Sequence, residues 1–101
     1  MIRHVSVLTF ADGTTDEQVR AIEEALTALA QQLPQLRAYQ FGRDLALADT
    51  NASFAVVADF DTVADYAAYR DDPEHRRILA ELIGPVLAAR AAVQYEIDGA
   101  G

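Results

Sequence analysis

The stretch "IRHVSVLTF", residues 2–10, decides the fold. Its side chains alternate with period two and are rich in Val, Leu and Phe, which predicts a strand with successive residues on opposite faces. One face carries Ile2, His4, Ser6, Leu8 and Phe10, and the other carries Arg3, Val5, Val7 and Thr9. Both faces therefore hold apolar residues. "ASFAVVADF", residues 52–60, does the same, with Ala55 and Val57 opposing Phe54, Val56 and Phe60. A sheet made of such strands needs cover on two sides.

Outward from the first strand, "ADGT" reads as a turn and Thr15-Asp16-Glu17-Gln18 as a capping box. Behind it Val19, Ile22, Leu26, Leu29 and Leu33 recur at three- and four-residue steps, which predicts a helix with one apolar stripe, ended by Pro34. "LRAYQFG", residues 36–42, predicts a second strand, and "RDLALADTN" a polar connection to the third strand at 52–60. Asp61 or Thr62 caps a short helix running to Arg70, and a further helix runs from Pro73 to about Ile83, broken by Gly84-Pro85. "AAVQYEI", residues 91–97, predicts a fourth strand.

The order β-α-β-β-α-β, with right-handed crossovers, gives an α+β, ferredoxin-like protomer: an antiparallel four-stranded sheet with helices on one face. Those helices cover only one side. A second copy is the simplest cover for the other, so the expectation is a homodimer with two sheets face to face, a dimeric α/β barrel. Residues 1–98 form a single domain, and 99–101 are expected to be a frayed tail.

Composition narrows the partners. Eight basic against sixteen acidic residues give a net charge of −8, which disfavours phosphate backbones and anionic membranes, so neither nucleic acid nor membrane is expected. Cysteine is absent, which removes disulfides, thiolate nucleophiles and Cys-based zinc sites. The start "MIRHVSVLTF" shows no signal-peptide pattern, and a cytoplasmic setting is the expectation.

The chemistry concentrates in "YRDDPEH", residues 69–75. Asp72, Pro73 and Glu74 suit an N-cap, N1 and N2, so helix capping alone accounts for them. His75 at N3 is not required by a cap. The helix terminus and burial favour its neutral form, while Asp71, Asp72 and Glu74 push the other way. A neutral His75 is a candidate base and Tyr69 a candidate donor to a carbonyl that becomes enolate-like. His4, Ser6, Leu8 and Phe10, on one strand face, are candidate substrate-binding residues. Tyr66, one turn before Tyr69, reads as core. No metal site and no cofactor are expected; the acids at 71, 72 and 74 serve as a solvated cap as readily as a hard-cation site.

These pieces resemble the Dabb family, the stress-responsive dimeric α/β-barrel proteins. The resemblance rests on "IRHVSVLTF", on "GRDL" after the second strand, on "VVADFDTVADYAAYRDDPEH" and on the terminal "VQYEI". It implies a ferredoxin-like protomer with a barrel formed across a dimer. A plant polyketide cyclase of that family closes a linear poly-β-keto thioester by an aldol step. By resemblance, His4 corresponds to its first-strand histidine, and Tyr69 and His75 to its catalytic tyrosine and histidine. The Y-x5-H spacing with proline two before the histidine is kept. Asp72 stands where that enzyme has a second histidine. The resemblance therefore implies a cofactor-independent cyclase or lyase acting on an apolar keto small molecule. The alternative is a non-catalytic stress-responsive dimer; a cofactor-less monooxygenase or haem binder ranks below both, since tryptophan and a redox constellation are missing.

Overall fold

A computed structural model of the chain describes residues 1–98. The tail expected at 99–101 lies outside the described residues. The elements run β1 (Ile2–Phe10), α1 (Asp16–Gln32), β2 (Ala38–Arg43), β3 (Phe54–Phe60), α2 (Val63–Asp71), α3 (Pro73–Ile78) and β4 (Leu87–Glu96). Between α3 and β4 the chain makes a π-helical turn, Leu79–Ile83, and a 3-10 turn, Gly84–Val86.

The sheet is antiparallel in the order β2-β3-β1-β4, so β1 sits centrally, paired to both β3 and β4. This is the ferredoxin-like α+β arrangement. α1 starts as its sequence dictates: the Thr15 hydroxyl accepts the Gln18 N–H, and the Gln18 side chain accepts the Thr15 N–H. Its stripe Val19, Ile22, Leu26 and Leu29 is buried against Leu8, Phe54, Val56, Ala58 and Phe60 of the sheet. Burial of side chains of this size stabilises by ~1.5–3 kcal/mol each, and that holds α1 to its face.

Several boundaries differ from the sequence reading, among them β3, which starts at Phe54 rather than 52. β4 begins at Leu87 rather than 91, because the 3-10 turn delivers the chain straight onto β1, where Leu87 pairs Phe10 across a bulge at Thr9/Phe10. β2 is shifted to Ala38–Arg43, since Leu36 still closes a turn by donating its N–H to the Leu33 carbonyl. The helix expected at 73–83 keeps α geometry only to Ile78 and then widens, with the Gly84 N–H donating to the Leu79 carbonyl. A Cβ at Gly84 would stand 3.0 Å from that carbonyl oxygen, so a residue without a side chain fits the closure.

The opposite sheet face carries Val5, Val7, Ala55, Val57, Ala91, Val93 and Tyr95. Within the protomer Val7, Val93 and Tyr95 are 36%, 54% and 46% exposed. At one end the Arg3 guanidinium grips both oxygens of Asp59, at 2.8 and 2.9 Å. No helix among the described residues is long and apolar enough to cross a membrane.

Candidate active site

The strand registers align Tyr39, Ala58, His4 and Gln94 in one row across the sheet, one residue from each strand, on the helix side. α2 and α3 pass over this row and bring Tyr66, Tyr69 and His75 against it. Between them lies a cavity of about 500 Å³, an ordinary size for a small-molecule site. Its apolar wall includes Leu8, Leu26, Val56, Leu79, Ile83 and Leu87.

His75 is held by its own helix start. Its backbone N–H donates to Asp72 Oδ2 at 3.0 Å, the N-cap bond of α3. Its ring Nδ1 lies 3.3 Å from the Arg70 carbonyl, which only accepts, so Nδ1 carries the proton and Nε2 keeps a free lone pair. Burial depresses its pKa below the usual histidine value; the Arg70 carbonyl and Asp72 pull upward, and Arg90 adds to the depression. His75 is thus a neutral base at pH 7.

His4 has the complementary tautomer. The Gln94 amide nitrogen donates to its Nδ1 at 2.8 Å, so the proton sits on Nε2. Burial lowers its pKa to about 4, with Arg90 and His75 contributing. Its ring lies 5.3 Å from Tyr66 and 6.2 Å from Tyr69.

Tyr69 is buried, and burial raises its phenol well above the usual value. Its hydroxyl is 3.1 Å from that of Tyr39, and its ring stacks on His75 at 4.2 Å between centroids. When Tyr39 donates in that pair, the Tyr69 proton is free for a ligand.

Of the residues singled out in the sequence, His4, Ser6, Leu8, Tyr69 and His75 line this cavity. Phe10 does not; it is half-buried, with its ring 5.9 Å from Phe54 at the other end of β1. Tyr66 is half-buried and lines the cavity as well as packing on Phe60, so it is wall as much as core. Tyr39 and Arg90 are cavity residues the sequence reading missed. The alternation of β2 that puts Tyr39 with Phe41 was a usable signal once the register with β3 was known. The acids of "YRDDPEH" are engaged: Asp71 with Arg70, Glu74 with Arg77, and Asp72 as cap. No cluster of three or more potential metal ligands occurs among the described residues.

The fold and cavity define a small ferredoxin-like domain with a cavity between its sheet and helices. Residues 2–97 match the model of the stress responsive A/B barrel domain, and the chain belongs to that family, Dabb. A dimeric ferredoxin-like protein of unknown function from Thermobifida fusca is 45% identical to it, with a TM-score of 0.88 over 95% of this chain and 90% of its own. A dimeric protein of the same fold from Bacteroides fragilis, also of unknown function, is 22% identical, with a TM-score of 0.83 over 95% of each chain. The hydroxynitrile lyase of Passiflora edulis is 19% identical, with a TM-score of 0.82 over 97% of this chain and 94% of its own. Among curated proteins none matches the sequence.

Proposed function

We propose that this chain is a homodimeric, cofactor-independent cyclase or lyase that binds an apolar poly-β-keto compound and moves protons with His75 and Tyr69. The observation that carries the reading is a neutral His75, with Nε2 unprotonated, stacked on Tyr69 at the wall of one apolar cavity. In the proposed step Nε2 removes an α-proton from a 1,3-dicarbonyl, whose acidity is already high. The Tyr69 hydroxyl donates to the oxygen that becomes the enolate. The enolate carbon then attacks a second carbonyl of the same chain, and the resulting alkoxide takes the proton back from His75. A lyase on the same fold, the Passiflora edulis enzyme, supports such chemistry by analogy only.

The homodimer is supported by the bare apolar face of Val7, Val93 and Tyr95 and by the dimeric relatives. A cytoplasmic setting belongs to the same proposal and fits a chain without cysteine.

The test is incubation with linear tri- and tetra-β-keto thioesters, followed by mass-resolved chromatography against a no-protein control. Cyclised product from the parent and none from folded His75→Ala supports the reading; equal product from both rejects it. One observation favours a second reading, a ligand-binding dimer without turnover: the Tyr69 hydroxyl already has a partner in Tyr39. That reading expects tight ligand binding, unchanged in Tyr69→Phe, with no product.

A further inference from the structure

The charges around the cavity run against those of the whole chain. The protein has sixteen acidic residues and a net charge of −8, yet among the described residues no acid lines the cavity; Arg70 and Arg90 do. Arg70 is neutralised by Asp71, at 3.0 Å. Arg3, Arg20, Arg37, Arg43 and Arg77 are likewise ion-paired. Arg90 has no acidic partner among the described residues.

Its position follows from the register. Arg90 pairs Leu8 across β1 and β4, on the same face as His4 and Ser6, so its side chain belongs to the cavity side of the sheet. It is exposed and lines the cavity together with the apolar Leu8, Ile83 and Leu87. Burial and then Arg90 hold His4 neutral, and the same charge also reaches His75. With both histidines uncharged, the guanidinium is, among the described residues, the one cavity-lining cation without a counter-ion.

We infer that the cavity takes an amphipathic carboxylate, its apolar body against Leu8, Ile83 and Leu87 and its carboxylate paired with the Arg90 guanidinium at the mouth. This rests on the reading of the cavity as a ligand site and adds a carboxylate-binding position to it. Guanidinium and carboxylate match as a planar, two-bond pair, and partial removal from water strengthens it.

The experiment compares octanoate with its neutral isostere octanamide, by titration calorimetry at pH 7, on the parent, Arg90→Gln and Arg90→Lys. The expected result is octanoate bound about tenfold more tightly than octanamide by the parent, the scale of one charge-assisted pair. Arg90→Gln loses that preference and keeps octanamide affinity, while Arg90→Lys retains part of the preference. Equal affinity for both probes in the parent, or a preference that survives Arg90→Gln, overturns the inference while the cavity remains a ligand site. Binding of neither probe overturns the inference together with the reading beneath it.

Discussion

The rings of Tyr69 and His75 lie 4.2 Å apart between centroids, tilted by 35°, so they meet as a stack, while the Tyr69 hydroxyl points to Tyr39. No hydrogen bond joins the two groups, so a proton does not pass directly from one to the other. His75→Gln keeps a polar group of similar reach and loses the base. The expected outcome is a fall in kcat of about 10²–10⁴ with KM little changed, the usual scale for a lost general base. Steady-state rates on a keto thioester check it, and an unchanged kcat would remove His75 from the mechanism.

The two buried histidines set an acid limit on stability. Their folded pKa values lie below the unfolded one, to about 4 for His4, so the unfolded chain binds protons that the native chain refuses. Stability is then full above the unfolded value near pH 6.5 and is lost as pH falls through that window toward 4. For His4 the shift corresponds to ~3 kcal/mol at most. Denaturant midpoints between pH 7.5 and 4.5 measure it. His4→Phe should flatten the profile, and a parent profile that is already flat would refute the burial of an unprotonated ring.

Asp72 ties the site to the backbone through its bond to the His75 N–H. Asp72→Ala should destabilise the chain by ~1 kcal/mol, as lost N-caps do. Asp72→Asn, which still accepts, should recover most of it. Thermal melts of the three proteins suffice.

The Tyr39–Tyr69 pair is one hydrogen bond shared by two residues. Tyr39→Phe and Tyr69→Phe should each cost ~1 kcal/mol, and the double variant clearly less than their sum. Strict additivity in urea denaturation would mean the two hydroxyls do not interact.

The bare sheet face predicts the assembly. Val93→Lys places a charge among Val7, Ala91 and Tyr95, and sedimentation should then show protomers where the parent sediments as a dimer. A parent that sediments as a protomer at micromolar concentration contradicts the paired sheets.

Much of this was legible in the chain because local signals agreed with the global packing. The capping box fixed α1 to the residue, and two-sided apolar alternation in β1 and β3 announced both the sheet and its uncovered face. The sequence places the start of β4 four residues late because Ala88 and Ala89 carry no strand preference of their own and join the sheet only through pairing with β1. Tyr69 and His75 stand out because a tyrosine ends one helix just before a histidine that the next helix cap does not require, and because both match the family resemblance. Tyr39 and Arg90 do not, because each reaches the cavity through a cross-strand register that no single stretch of sequence displays.

The wide turn at Leu79–Ile83 has a consequence for how this wall can change. It holds one residue more than an α-helical turn would, and Leu79 and Ile83 both face the cavity from it. Removing that extra residue would swing everything downstream by roughly 100°, one α-helical step, and carry Leu87 out of step with Phe10. The lining of the chamber and the edge strand are thus geared together, and divergence here should proceed by exchanging side chains on a frame of fixed length.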